Sequence, residues 1–217
     1  MTRPVTLAAL GALLVSVHTL PLRAQQGAGA PRRLDPAIER TIALLADSAD
    51  AAGLPGEALR AKAAEGVLKG AADDRILAAV RTFARELREA HRALGAATAG
   101  ELVAGATALH AGVAPERLRE LRQASGGARE GALAVPIVVL VDLVTRRVPP
   151  DDAIRSIELL LRRRAGDAEL QAFRQTVEQD ILSGQSPSAA VAARTRAVLD
   201  RLGGGLERPG RPEGFSP

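Results

Sequence analysis

Several side chains that carry common chemistry are missing from this 217-residue chain, which has no Cys, Trp or Tyr and only three Phe. Without Cys, disulfides, thiolate metal sites and a Cys nucleophile are excluded. Without Tyr there is no phenolic acid or base, and three Phe are too few for a platform of stacked rings. Lys is scarce too, because 27 of the 29 basic residues are Arg. These absences argue against most enzyme classes.

Residues 1–24 have the layout of a secretory signal peptide. Arg3 precedes an apolar stretch from Val5 to Leu20, and Ala24 supplies a small residue ahead of a polar segment. The apolar run is about 16 residues long, shorter than the roughly 20 that span a bilayer. We therefore expect cleavage near Ala24 and a periplasmic or secreted protein, with a membrane anchor as the alternative.

Removal of this segment lowers the net charge that we expect for the mature protein. The segment carries two Arg and no acidic residue, so the formal net charge falls from +4 to +2. Such a weakly positive, exported chain gives no reason to expect nucleic acid as a partner. A protein or an envelope component is the expected partner, and the sequence points to no cofactor.

Helical periodicity dominates the rest of the chain. Residues 25–34 are predicted to be a flexible linker and residues 203–217 a disordered tail. Between them, in residues 35–202, apolar side chains recur at spacings of three and four, and the chain is rich in Ala, the best helix former, with 44 residues. This pattern predicts an all-α domain of stacked helical hairpins. About nine helices are predicted, over residues 36–51, 55–69, 72–95, 98–111, 114–124, 129–146, 149–164, 167–183 and 187–202.

Residues 135–141 are ambiguous, since the sequence Val-Pro-Ile-Val-Val-Leu-Val is also typical of a buried strand. No second strand candidate is present to pair with it, and the apolar spacing continues helically as far as Val144. We predict a buried central helix with Pro136 near its start or at a kink. Phe83 and Phe173 lie on apolar stripes of two other helices, so we expect the folded surface to present no aromatic ring.

A phrase that occurs twice suggests an internal repeat. Ala52–Arg60 and Ala111–Arg119 share Ala-Gly, an aliphatic residue, a Glu and Leu-Arg, at a spacing of 59 residues. Two explanations remain open. Either a helical unit was duplicated, with halves at 35–110 and 111–202, or two helical turns use the same capping chemistry.

Two further phrases carry a family resemblance. They are Glu-Gly-Val-Leu-Lys-Gly at residues 65–70 and Val-Pro-Pro-Asp-Asp-Ala at 148–153, the second followed by Leu-rich residues 159–161. With them, residues 53–195 resemble a group of Ala- and Arg-rich secreted bacterial proteins that are uncharacterised. Ala71 and Ala72 stand where Val-Pro or Pro-Pro is more typical of the group. The resemblance implies an all-α secreted protein and no particular activity.

The densest basic region is a candidate anion-binding surface. Guanidinium groups pair well with the phosphates of envelope lipids or polymers, although solvated helix ends are the simpler interpretation. The candidate residues are Arg146, Arg147, Arg155, Arg162, Arg163 and Arg164.

Glu65 and Lys69 form a candidate polar site, but their spacing equally predicts a surface ion pair in a helix that ends at Gly70. His91 and His110 are the only His beyond the signal peptide, and they lie on different predicted helices without a close ligand partner. We expect both to be structural.

The sequence thus predicts an exported, non-enzymatic all-α protein that binds a partner or has a structural role in the cell envelope, with no catalytic, metal or cofactor site. One alternative is a binder of anionic envelope lipid or polymer through the six arginines. Another is an enzyme of unrecognised type that uses Glu65, His91 or His110. The sequence does not indicate an oligomeric state.

Overall fold

The computed structural model describes residues 33–126 and 131–204, and in these residues all regular secondary structure is α-helical. Residues 203 and 204, which were predicted to belong to the tail, are helical. Residues 1–32, which include the predicted signal peptide and nearly all of the predicted linker, and residues 205–217 of the predicted tail lie outside the described residues. The helices within them are α1 (Pro36–Ala51), α2 (Gly56–Leu68), α3 (Asp73–Leu94), α4 (Ala99–His110), α5 (Pro115–Ala124), α6 (Ala134–Thr145), α7 (Pro150–Arg162), α8 (Asp167–Leu182) and α9 (Pro187–Gly204).

The all-α prediction is confirmed, and only α6 departs from its predicted bounds by more than two residues. It begins at Ala134, not at residue 129, because Gly131–Leu133 form a turn and the Leu133 N–H donates to a side chain of α4. Pro136 is the third residue of the helix, where its missing N–H costs no intrahelical hydrogen bond.

The ambiguous segment is a buried central helix, as predicted. α6 packs against α4, α7 and α8. Ile137, Val139, Leu140 and Leu143 are fully inaccessible to solvent, so this helix is buried on more than one side. A helix surrounded in this way has no need of a polar face, which explains why its sequence looked like that of a strand.

Two hydrophobic clusters fill the domain, and they meet on α3 and α4. The first lies among α1–α4, and the second is built by α5–α9 together with parts of α3 and α4. On α4, Leu102 and Ala106 belong to the first cluster, while Ala104 and Ala108 belong to the second. Because these side chains are mostly small, α4 can approach other helices on both faces.

Neighbouring helices pack as hairpins in α1–α4, in α6–α7 and in α8–α9. Helices two apart in the sequence also pack together: α1 with α3, α3 with α5, α4 with α6, α5 with α7, α6 with α8 and α7 with α9. The last of these pairs leaves a surface groove that becomes important below.

Six helices share one kind of C-terminal end. After α1, α2, α4, α6, α7 and α8, one residue has positive φ and the next donates its N–H to a carbonyl five residues back. This is the Schellman motif, which favours Gly at the positive-φ position. The twice-occurring phrase places Gly53 and Gly112 there, each followed by a buried aliphatic residue, Leu54 or Val113.

Candidate functional site

The six candidate arginines do not form one patch. Arg146 and Arg147 precede α7, whereas residues 162–164 lie at its end. Since α7 has 13 residues, the two sets are separated by about 20 Å along its axis. Arg155 lies between them on the exposed surface of α7.

Arg146 has a structural partner. Its Nη2 lies 2.5 Å from Oε1 of Glu178, so it links the end of α6 to α8. Arg147 and Arg164 occupy the positive-φ positions after α6 and α7, at φ +66° and +59°. The other four helices with this kind of end have Gly there.

We predict that Arg147→Gly and Arg164→Gly each stabilise the fold. A residue with a Cβ is strained at positive φ, and Gly relieves the strain, so we expect the free energy of unfolding to rise by about 0.5–1 kcal/mol per site in urea titrations. Arg163 has an ordinary φ of −90° and serves as the matched control. An equal gain from Arg163→Gly would show that removal of positive charge, not relief of strain, is the cause.

A groove with a volume of about 440 Å³ lies between α7 and α9. We call it the α7–α9 groove. A volume of this size is typical of small-molecule sites. Its apolar lining is formed by Leu159 of α7 and by Val191, Ala192 and Leu199 of α9.

The two hydroxyl groups in the floor of the α7–α9 groove do not make it polar. Ser156 Oγ donates to the Asp152 carbonyl oxygen and Thr195 Oγ1 to that of Val191, both at 2.8 Å. Each hydroxyl is therefore satisfied by its own helix, a common arrangement for Ser and Thr within helices. The floor can accept an apolar group without leaving these hydroxyls unpaired.

Positive charge lies at the rims of this apolar floor. Arg155 of α7 and Arg196 of α9 both line the groove. The nearest acid to Arg155 in an ion pair is Asp152, at 3.8 Å, and Arg196 has no ion pair with any described residue. Asp152 also lines the groove and accepts a hydrogen bond of 2.9 Å from Ser188 Oγ. Arg196 is thus the more available of the two guanidinium groups, since Arg155 is paired with this carboxylate.

An exposed leucine extends the apolar surface along α7. Leu159 is 43% exposed, and it stands one turn from Arg155 on one side and from Arg162 on the other. Between these arginines lies Glu158, whose pKa is raised by burial and by the nearby negative charge of Glu120. The positive charges of Arg162, Arg117 and Arg155 oppose this rise, so Arg162 and Arg155 already interact with the Glu158 carboxylate.

A second groove, between α1 and α2, differs in its charges. Its volume is about 310 Å³, and its lining includes Ile42, Val67 and Arg60. Arg60 is already paired with Asp47 at 2.6 Å and with Asp50 at 3.3 Å. An anion there would have to compete with two carboxylates, so the α7–α9 groove is the better candidate.

Glu65 and Lys69 are ion-paired at the surface. Lys69 Nζ donates to Glu65 Oε1, and Lys62 Nζ donates to Oε2 at 2.9 Å. These hydrogen bonds, from Lys69 foremost and then Lys62, lower the pKa of Glu65 to about 2. Gly70 ends the helix at φ +68°, so the geometry is that of the surface ion pair. Both lysines of the chain share this one carboxylate.

The two histidines have different surroundings. His91 is exposed in the last turn of α3, whereas His110 Nδ1 lies 3.0 Å from Oε1 of Glu86. The Glu86 side chain is 13% exposed, and its Oε2 has no hydrogen-bond partner among the described residues. The expectation that no ring reaches the surface is wrong for Phe83, which is half-buried and lines a groove together with Ala78, Ala79 and His110.

Sequence reasoning missed Glu101, which is fully buried in the first turn of α4. Its Oε2 accepts from the Thr98 N–H at 2.8 Å, and its Oε1 accepts from the Leu133 N–H at 3.0 Å. Burial raises the pKa of Glu101, but hydrogen bonds from the backbones of Thr98, Leu133 and Gly131 and the charge of Arg122 outweigh it, so the pKa is lowered. The capping-box spacing Thr-x-x-Glu was the available signal.

Glu101 and Arg122 together hold three segments. Arg122 of α5 donates to the carbonyl oxygens of Leu94 and Ala96, at 3.1 and 3.2 Å, and its Nη2 lies 3.5 Å from Glu101 Oε1. The end of α3, the start of α4 and the turn before α6 are therefore fixed around one carboxylate. This arrangement is a structural centre between the two hydrophobic clusters.

Residues 33–126 and 131–204 contain neither a metal-binding cluster nor a membrane-spanning helix. No group of three or more His, Asp or Glu side chains is placed to hold a metal ion. No helix in the same residues has the length and apolar character needed to cross a membrane.

Comparison with known proteins gave no match. No protein-family model, curated protein or solved structure is significantly similar to this chain.

Proposed function

We propose that the protein is a non-enzymatic binding protein of the cell envelope that holds a single-chain anionic amphiphile in the α7–α9 groove. The observation that carries this proposal is the position of Arg155 and Arg196, which have little or no ion pairing, at the rims of an apolar floor. A phosphate or carboxylate head group would accept hydrogen bonds from these guanidinium groups. The acyl chain would lie against Leu159, Val191 and Leu199.

This proposal keeps one expectation from the sequence, an anion site among the arginines. It assigns the anion to Arg155 and the newly found Arg196, and not to residues 162–164. Those three arginines are exposed at the end of α7 and have no ion pair with any described residue. They extend the positive potential near the groove but lie outside its lining.

The proposal is tested by calorimetric titration with dodecanoyl lysophosphatidylglycerol below its critical micelle concentration. We expect saturable binding at one site, and clearly weaker binding of dodecanoyl lysophosphatidylcholine, which has the same chain but no net charge. Arg155→Gln and Arg196→Gln should each weaken binding by about tenfold, since each removes a charge-assisted hydrogen bond. Ala192→Phe, a change at an exposed position in the lining, should block the chain.

The triple substitution of Arg162, Arg163 and Arg164 by Ser is the matched control. It removes more positive charge than either groove variant but leaves the groove lining intact, so we expect less than about a threefold loss of affinity. A large loss in the triple variant with none in Arg155→Gln would favour a diffuse surface for anionic polymers. Equal affinity for both lysolipids would contradict the proposal.

A further inference from the structure

A third groove, formed by helices that are distant in sequence from α7 and α9, is lined by several polar side chains. It has a volume of about 370 Å³ and lies where α2, α3 and α4 meet. We call it the His110 groove. Its polar lining residues are Lys62, Thr82, Glu86, Thr107 and His110, and Phe83 with two alanines forms an apolar wall.

The hydrogen bond to Glu86 determines which nitrogen of His110 is available. An ionised carboxylate only accepts hydrogen bonds, so Nδ1 of His110 must carry a hydrogen to bond to Oε1 of Glu86 at 3.0 Å. The other ring nitrogen, Nε2, then has a lone pair when the ring is neutral and an N–H when it is protonated. The side chain is 72% exposed, so Nε2 is accessible to a ligand.

The charges around the His110 groove balance when His110 is neutral. Lys62 and Glu86 line it from α2 and α3. Behind Lys62, Glu65 and Lys69 add one negative and one positive charge. α4 also packs on α6, which contributes no residue to this lining. Protonation of His110 therefore gives the groove a net positive charge and adds an N–H donor to a groove that Lys62 also lines.

We propose that the His110 groove binds a small aryl monocarboxylate, and that binding takes up a proton on His110. The ligand carboxylate accepts hydrogen bonds from Nε2 of His110 and from Nζ of Lys62, which has donors left beyond the one it gives to Glu65. The ring of the ligand packs against Phe83, the one partly exposed aromatic side chain of the described residues. This site is independent of the α7–α9 groove, so either proposal can fail without the other.

Benzoate is the probe, and its binding to the full chain is followed by amide chemical shifts at pH 5.5 and 7.5. We expect shifts at Phe83 and His110 and about fivefold higher affinity at the lower pH, because binding that takes up a proton is favoured by a higher proton concentration. His110→Gln should bind with the same affinity at both pH values. Arg163→Gly, a change outside both grooves, should bind benzoate as the unmodified chain does.

The two lysines provide a matched pair of variants. Lys62 and Lys69 share the carboxylate of Glu65, but only Lys62 lines the groove. Lys62→Met should weaken benzoate binding by at least about fivefold at both pH values, and Lys69→Met by less than about twofold. Equal losses in the two variants, a pH-independent affinity in the unmodified chain, or the absence of shifts at Phe83 and His110 would each overturn the proposal.

Discussion

Glu101→Ala is expected to destabilise the protein by about 3–5 kcal/mol, enough to unfold many domains of this size. The substitution leaves the buried N–H groups of Thr98 and Leu133 without their acceptor and Arg122 without its nearest negative charge. It also opens a cavity at a position that is fully inaccessible to solvent. Chemical unfolding followed by circular dichroism measures the loss.

Glu101→Gln separates the charge of this side chain from its shape. Glutamine keeps one acceptor oxygen, so we expect a smaller loss, about 1.5–3 kcal/mol. Folding lowers the pKa of Glu101, so its ionised carboxylate stabilises the fold fully above the ordinary pKa of 4.5. This stabilisation is lost as the pH falls through the pKa of the folded state. The Gln variant should therefore lose less stability than the unmodified chain on acidification. If Glu101→Ala cost less than about 1 kcal/mol, the structural role assigned here would be wrong.

Gly56→Ala should cost about 3 kcal/mol, although alanine is normally the better helix residue. A Cβ at this position would lie 2.3 Å from the backbone carbonyl oxygen of Ala46 and 2.6 Å from Cγ of Asp50. The obstacle is largely backbone, so α1 and α2 would have to separate. Asp50 would also lose its hydrogen bond of 2.8 Å from the Gly56 N–H.

Gly100 is the control for this effect, since it also lies in the first turn of a helix but in open surroundings. The nearest atom to a Cβ there would be Thr98 Oγ1, at 3.9 Å. Gly100→Ala should therefore leave stability unchanged or raise it by up to about 1 kcal/mol. A similar small effect at Gly56 in thermal unfolding would mean that α1 and α2 do not approach as closely as described.

The helices were predictable because their ends carry local signals. Pro36, Pro115, Pro150 and Pro187 each occupy the first helical position, where proline is favoured. Gly residues at positive φ mark several of the other ends. Such signals depend on a few neighbouring residues, so they can be recognised in a single sequence.

The candidate sites were harder to predict because they depend on long-range packing. Arg155 and Arg196 are far apart in sequence and meet only because α7 packs on α9. The six arginines are close together in the sequence, but the length of α7 separates them in the fold. The burial of Glu101 likewise depends on a turn 32 residues further along the chain.

The central claim is that the α7–α9 groove takes up the chain of an anionic amphiphile, and methyl-resolved nuclear magnetic resonance with dodecanoyl lysophosphatidylglycerol tests it most directly. At saturation we predict shifts of the Leu159, Val191 and Leu199 methyl signals, while those of Ile42 and Val67 in the groove between α1 and α2 stay unchanged. Shifts at Ile42 and Val67 with none at Leu159 and Leu199 would contradict the account.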